Sequence, residues 1–501
     1  MYRSPVQDDR RVAVIGSGPA GATAAKVLSE AGIDVTLLEA GSERSSRGLT
    51  ARVAGVTVMK LRQPPLKPRS EGISATADSS AEMYEELSPG GLTNYWSCAV
   101  PRFSKEDFED AARAGEAFAW PIGYDDLVPW YERVEPLLHI AGTNVDAPQL
   151  PAGKVRRAWE LARDWRPIAE EAQRDGRAVL PLPYAYGSDT TVTFSNNVFN
   201  AYVRLVKPAL RSGKIQVRFG ARVLRLERSS DGRVGRVVYR NRTTGAEEAL
   251  PCRAVVVAAG AIGTAQILLE SRDQDFPEGL GNTHGVLGRY LHDHPLAKLV
   301  LDLRAPITVH PPAYLTRPSI QKASPLYAAA CVQWTGSVIR AKSVLTGRLD
   351  RLPWTGFNVF GTMAPSPDNR VELDSTGRLS DGVSAIKLHI RHPDEARTTL
   401  TETRNALVEL LGRAKLAPRI RIWHTEPVGH SIHYAGTCRM HASPKFGMLD
   451  AFSRIHAVPN VVVADSAAFT TGPEKNPVLT AMALSARASD RLARDLRAGE
   501  A

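Results

Sequence analysis

Arg11-Val-Ala-Val-Ile-Gly16-Ser-Gly18-Pro-Ala-Gly21 runs through an alanine-rich stretch to Val35-Thr-Leu-Leu-Glu39. Val12–Ile15 is a short apolar run with β-branched residues, Ala20–Ala31 has helical character, and Val35–Leu38 is a second apolar run. Two such runs flanking a helix define a βαβ unit, and therefore a parallel sheet. The three glycines have distinct jobs where strand passes into helix. Gly16 allows the tight turn, Gly18 lets a pyrophosphate approach the backbone, and Gly21 permits close helix–strand packing. An anion at that point meets the free N–H groups and the positive dipole end of the helix. Glu39 lies 23 residues after Gly16, at the end of the second strand, placed to accept hydrogen bonds from a ribose diol. An acid there disfavours the 2′-phosphate of NADP. The motif alone leaves FAD and NAD both open.

Outward from this unit, Ala254–Ala259 reads as a buried strand and Ala261–Ser271 as a helix opening on Gly260. Val217–Glu227 and Val234–Tyr239 flank the turn signal Ser229–Gly232, a hairpin pattern. Gln63–Ser80, rich in Pro, Ser and Arg, reads as a loop, and Asp125–Leu138 as a helix. From Leu299 to Glu426 the pattern changes to short strands broken by Pro and Gly, with one helix around Arg397–Arg413. After Gly436 the βα character returns and ends in a helix over Thr480–Leu496. The expected fold is α/β, a Rossmann-like dinucleotide domain with a parallel sheet plus a second, β-rich domain with helices. The segments 1–105, 200–298 and 427–501 are assigned to the first domain, and 106–199 and 299–426 to the second, substrate-binding one.

The 501 residues, 43% hydrophobic and 23% charged, suffice for such a two-domain core and exclude a disordered or fibrous chain. No apolar run approaches the ~20 residues of a bilayer helix, so no membrane association is expected. The N-terminal residues are polar and lack the apolar core of a secretory signal, which makes the cytoplasm the expected location. Cys98, Cys252, Cys331 and Cys438 are scattered without a Cys-x-x-Cys pair, so free thiols and no metal site are expected. The net charge of +10 comes from dispersed residues with no basic block, and nucleic acid is not an expected partner.

Four further stretches decide the cofactor. They are Ser88-Pro-Gly-Gly-Leu-Thr-Asn-Tyr-Trp96 with its continuation to Phe103, Ala259-Gly-Ala-Ile-Gly-Thr-Ala-Gln-Ile-Leu-Leu-Glu-Ser271, Gly288-Arg-Tyr-Leu-His-Asp-His-Pro295, and His433-Tyr-Ala-Gly-Thr-Cys-Arg-Met440 with Val463-Ala-Asp465 and Asn476-Pro-Val-Leu-Thr480. With the N-terminal block they resemble, in order and over most of the chain, the glucose–methanol–choline (GMC) oxidoreductases. Trp96–Phe103 and Asn476–Leu484 look closest to the pyranose and glycoside oxidase branch, and to bacterial oxidases of aminosugar antibiotics. The resemblance implies FAD as cofactor and oxidation of an alcohol, with oxygen or another acceptor taking the electrons. Leu299–Glu426 matches no family block, and substrate choice would lie there.

Alcohol oxidation requires a base for the hydroxyl proton while the carbinol hydrogen leaves as hydride, and histidine suits that role near neutral pH. Of twelve histidines, His433 stands first in His-x-x-Gly-Thr, the family's base position, with Asn476 where the family has a second His or Asn. His430 and His424 are the alternatives; His441 is read as structural, and His292 and His294, near the turn of the flavin domain, have no metal role. The resemblance further implies cofactor contacts from Gly16, Gly18, Gly21, Glu39, Gly91, Asn94, Trp96, Val223, Asp465 and Asn476. Some members tether FAD through a His directly before the tryptophan; here that position is Tyr95, preceded by Asn94, so non-covalent FAD is expected. The substrate is expected to be a sugar, glycoside or aminosugar hydroxyl. Glu426 and Glu474, near His433 and Asn476, are candidates to attract an ammonium group. The competing readings are a hydroxynitrile lyase on the same fold, a dehydrogenase of a non-sugar alcohol, and a non-catalytic flavoprotein.

Overall fold

The computed structural model describes residues 11–43, 52–53, 56–57, 72–75, 81–185, 199–309, 311–317, 326–336 and 354–500. Its central sheet places, side by side, Ile215–Phe219, Val35–Glu39, Val12–Ile15, Ala254–Val257, Val458–Val463 and Arg454–Ile455. The first five strands pair in parallel, with Val12 opposite both Val35 and Ala254, and Val255 opposite Val461. Arg454–Ile455 closes the sheet antiparallel. Central strands of a parallel sheet are covered on both faces, which is why they read as continuous apolar runs rather than alternating ones. Val12, Val14, Val35 and Leu37 are fully buried, as are Ala254, Val255 and Val256 in the strand on the other side of Val12–Ile15. The helices Pro19–Glu30 and Val478–Ala498 pack against each other beside this sheet.

The sequence reading of one strand over Val217–Glu227 is corrected. Gly220 adopts φ +67° and divides the run. Ile215–Phe219 joins the parallel sheet, whereas Ala221–Arg228 pairs antiparallel with Val234–Asn241, which in turn pairs with Glu247–Pro251. A left-handed residue between two apolar stretches turns the chain out of one sheet and into another. Of the segment read as loop, Gln63–Ser80, only 72–75 is described, and there Ile73–Ala75 forms a strand, pairing in parallel with Ser384–His389. The remainder lies outside the described residues. Helices form over Tyr124–Leu138, Gly260–Glu270, Asp394–Arg413 and Val478–Ala498, close to the expected bounds.

A second, antiparallel sheet orders Arg419–Thr425, Leu296–Asp302, Trp354–Gly361, Ala329–Gly336, Ala313–Leu315 and Val179–Pro181. Alternation assigns its faces. Ala297, Leu299, Leu301, Phe357 and Val359 pack in one cluster with Leu400, Leu407 and Leu411 of the helix Asp394–Arg413 and with Ile168 and Ala172. Leu296, Phe360, Ala330, Val332 and Tyr314 form a separate cluster on the opposite face. That face turns towards His433, whose ring Phe360 meets. Arg370–Arg378, which pairs with Ser384–His389, packs on the helix Gly260–Glu270. Among the described residues no helix is long and apolar enough to cross a membrane.

Candidate active site

One continuous cleft is lined by residues 15–20 of the glycine turn, by residues 38–40, Gly91, Val223, residues 258–263, His433, Asp465 and Pro477. It begins at the glycine turn and ends at the candidate base. At the turn, a Cβ on Gly16 would lie 2.5 Å from the Ala258 carbonyl oxygen, and one on Gly21 would lie 2.0 Å from the Gly16 carbonyl oxygen. A Cβ on Gly18 would meet nothing within 4 Å. The helix Pro19–Glu30 has no side chain capping its first turn, so its leading N–H groups are offered to the cleft. These features fit a pyrophosphate resting on the helix N-terminus.

Glu39 is buried beside them. It accepts from the Ser17 N–H at 3.1 Å, from the Ser17 hydroxyl, and from the Gly41 N–H at 2.7 Å. Burial pushes its carboxyl above the ordinary value, against these hydrogen bonds. The Ser17 hydroxyl oxygen in turn accepts from the Gly90 N–H at 3.0 Å. Glu39 is therefore also a clamp holding the glycine turn to the 88–94 segment, a role the sequence did not reveal.

The other expected cofactor residues divide. Gly91, Val223 and Asp465 line the cleft. Asp465 accepts from the Gly260 N–H, the Thr264 hydroxyl and the Ala467 N–H at 2.7–2.8 Å, so its carboxylate ties two cleft-lining turns together. Burial raises its pKa against those three bonds. Asn94 is turned to protein partners: its amide donates to the Gly91 carbonyl at 2.9 Å and its oxygen accepts from Asn200 at 2.9 Å. The Trp96 indole donates to the Phe199 carbonyl at 2.9 Å. The side chains of Asn94 and Trp96 brace the segment that carries Gly91.

At the far end of the cleft the His433 Nε2 and the Asn476 amide nitrogen are 3.1 Å apart. Sequence placed these two residues together, and the structure does as well. It also supplies partners that sequence reasoning missed. Asp293 accepts from the His433 N–H at 2.8 Å, the Gly429 N–H at 3.0 Å and the Ser431 hydroxyl. Burial raises its carboxyl to about 6. One buried carboxylate thus shapes the whole loop that presents the base. The Nδ1 atoms of His294 and His433 are 2.9 Å apart. Phe360, on the inner face of the second sheet, lies 5.6 Å from the His433 ring, centroid to centroid. The one available signal for Asp293 and His294 was the quoted Gly288–Pro295 segment.

The expected ammonium role of Glu426 and Glu474 is not supported by their surroundings. Glu474 is fully buried and accepts from Lys475 at 3.1 Å and from Tyr314 at 3.2 Å, while Lys475 also donates to Asp107 at 2.9 Å. Although burial opposes it, the nearby Lys475 and Arg317 bring the Glu474 pKa down to about 2. Glu426 is paired with His424 at 3.2 Å and His430 at 3.0 Å. Both carboxylates are already engaged by protein partners, and for the buried Glu474 a paired charge is the tolerated arrangement. His424 and His430, the alternative bases, are both paired with Glu426, and His430 also with Glu82. His441 bonds backbone carbonyls, including that of Glu116 at 2.9 Å. All four cysteines are buried and free, and among the described residues no cluster of three or more His, Cys, Asp or Glu residues could hold a metal ion.

Residues 11–322 match the family model described as FAD dependent oxidoreductase, and residues 365–485 the model described as GMC oxidoreductase. The 2-methyl-1,2-propanediol dehydrogenase of Mycolicibacterium austroafricanum is 26% identical, over 97% of this chain and 96% of its own length. The 6'''-hydroxyparomomycin C oxidase of Streptomyces lividus is 29% identical, over 98% and 92% respectively. Among solved structures, pyridoxine 4-oxidase from Mesorbium loti superimposes with a TM-score of 0.64 over 96% of this chain and 98% of its own, at 16% identity. That likeness is one of fold.

Proposed function

This chain belongs to the FAD-dependent oxidoreductases of the GMC family, enzymes acting on alcohol groups, and from that premise we propose that it oxidises a hydroxyl of a sugar, glycoside or aminosugar, with His433 as the base. The observation that carries the reading is the 3.1 Å contact of His433 with Asn476 at the end of a cleft that starts on the glycine turn. Bound FAD supplies the hydride acceptor. The protein positions the alcohol and takes its proton at the His433 Nε2. Asn476, which does not titrate, turns its amide to the same oxygen and holds the developing alkoxide.

Gly16, Gly18, Gly21, Glu39, Gly91, Val223 and Asp465 hold the cofactor, without a covalent link, since Tyr95 stands where a tethering His would be. The inner face of the second sheet supports a polyhydroxylated substrate. Phe360 pairs across it with Leu296, and at the next position on the same face, two residues along, Lys298 donates to Asn358 at 2.8 Å. An apolar ring beside a polar rung suits the alternating C–H and O–H faces of a sugar. The division into 1–105, 200–298 and 427–501 for FAD, and 106–199 and 299–426 for substrate, is part of the same proposal. The diol dehydrogenase among the relatives favours a second reading, a non-sugar alcohol as substrate.

The test is an anaerobic screen of flavin bleaching with glycosides, aminosugars and simple diols, followed by readmission of air. Bleaching by a sugar hydroxyl supports the proposal, and bleaching by diols alone moves it to the second reading. A flavin left oxidised by every alcohol, with cyanohydrin cleavage instead, would make the protein a lyase. Recovery of colour in air marks oxygen as acceptor.

A further inference from the structure

We propose that His294 is the positioning residue that fixes the tautomer of His433 and shares the proton charge His433 acquires. The proposal rests on the reading of His433 as the base. Its geometry is two hydrogen-bonding contacts, Asn476 amide to His433 Nε2 at 3.1 Å and His433 Nδ1 to His294 Nδ1 at 2.9 Å, with the Pro473 backbone carbonyl beside the other edge of the His294 ring. The His294 Nε2 faces the 472–473 segment, lying 3.8 Å from where a Cβ on Gly472 would stand. The His294 backbone is held too, its N–H donating to the Ser431 hydroxyl at 3.2 Å.

Only one arrangement of protons satisfies this chain. A carbonyl accepts and never donates, so His294 gives its Nε2–H to Pro473. A neutral imidazole carries one proton, which leaves the His294 Nδ1 as a bare acceptor. His433 must then donate from Nδ1, and its own Nε2 carries the lone pair. The reverse order would set a bare His294 Nε2 against the Pro473 carbonyl, two lone pairs face to face. His294 does not escape by taking a second proton, because burial, with nearby His292 and His392, pushes it down to about 3 against the opposing effects of Glu474 and the Pro473 carbonyl. Asp293, the neighbour in sequence, spends its oxygens on the 429–433 loop. In the reaction the substrate O–H bond breaks, a new N–H bond forms at the His433 Nε2, and the Nδ1–H to His294 stays in place. That bond strengthens as the ring becomes cationic. The arrangement performs with a neutral histidine the orienting task that a carboxylate performs in hydrolase triads.

The experiment compares flavin reduction and the pH profile of kcat/KM in His294→Asn, His294→Gln and His294→Leu, each checked for bound FAD. An asparagine oxygen can stand where the His294 Nδ1 stands; a glutamine reaches instead to the Nε2 position, and leucine offers nothing. His294→Leu and His294→Gln should slow reduction roughly tenfold to a hundredfold, the size associated with partners that orient a ligating imidazole. Their rising limb should move to lower pH, since the imidazolium loses its acceptor. His294→Asn should restore both rate and limb towards the parent enzyme. The Asp293 ionisation is common to all three variants. A purely structural role would lower stability and FAD content without moving the limb. If the limb stays put in folded, FAD-loaded His294→Leu, or if His294→Asn is as impaired as His294→Gln, the proposal is overturned. If His433→Ala keeps the rate of the parent enzyme, the base assignment itself has failed instead.

Discussion

Gly18 offers a perturbation whose two effects have opposite sign. Its backbone sits at φ −62° and ψ 179°, a conformation open to any residue, and a Cβ there meets nothing within 4 Å. Without cofactor, Gly18→Ala should therefore stabilise the fold by about 0.4–1 kcal/mol, through the reduced freedom of the unfolded chain. With cofactor, the new methyl stands in the space through which the pyrophosphate approaches. An overpacked contact costs about 1–3 kcal/mol, which is roughly a 5- to 150-fold loss of FAD affinity. The melting temperature of the apoprotein should rise slightly, while the extra stabilisation from added FAD shrinks, as mass-action linkage requires. Gly21→Ala is the control. Its Cβ would lie 2.0 Å from the Gly16 carbonyl oxygen, so apoprotein and holoprotein should both be destabilised. The assay is thermal melting across an FAD titration, with affinity read from quenching of flavin fluorescence. A Gly18→Ala protein that binds FAD as tightly as the parent would refute the placement of the pyrophosphate on this turn.

The remaining predictions concern the cofactor link, the base and a buried charge. Acid precipitation should leave the flavin in the supernatant; colour retained in the pellet would contradict non-covalent binding. With a neutral substrate, kcat/KM should rise with pH to a plateau, and His433→Ala should slow flavin reduction by roughly 10²–10⁴ even on that plateau. Asn476→Ala should slow it while keeping the rising limb, whereas a comparable loss in His430→Ala or His424→Ala, with His433→Ala unaffected, would move the base elsewhere. Asp293 adds a contribution of its own: raised to about 6, it gains a proton as pH falls through that value and loosens the 429–433 loop, so Asp293→Asn should change the profile's acid side. Lys475→Met should lower stability by about 3–5 kcal/mol, since it strands Asp107 and Glu474 without their shared cation, and a denaturant titration showing less than ~1 kcal/mol would remove that assignment.

The parts of the molecule legible in sequence were those whose cause is local. Val12–Ile15, the glycines at 16, 18 and 21, and Glu39 could be read because strand, turn and helix follow one another within one βαβ unit. His433 and Asn476 were legible through the family resemblance, not through any periodicity. The misreadings have separate causes. Val217–Glu227 looked like one strand because Gly220 interrupts an apolar pattern without changing its character. Glu474 looked like a pocket acid because the cation beside it and Asp107, 368 residues before Lys475, meet only in the fold. Asp293 and His294 act on His433 across 140 and 139 residues respectively, distances over which a single sequence carries no pairing information.

The strand order of the parallel sheet has a consequence for synthesis. Val12–Ile15 is made early, yet Ala254–Val257 beside it begins 242 residues after Val12, and Val458–Val463 must come after that. Until the last of these strands emerges, the Ala254–Val257 edge has no neighbour on that side. Such an unpaired apolar edge is a template for intermolecular pairing. The cleft wall at Asp465 and Pro477 arrives later still. A ribosome-bound chain therefore has the phosphate turn long before it has the chamber that encloses a flavin, and cofactor capture should be a late event. Under slow translation or FAD shortage, the protein lost to aggregation would be nascent chains, and supplying riboflavin would help only those that had already finished.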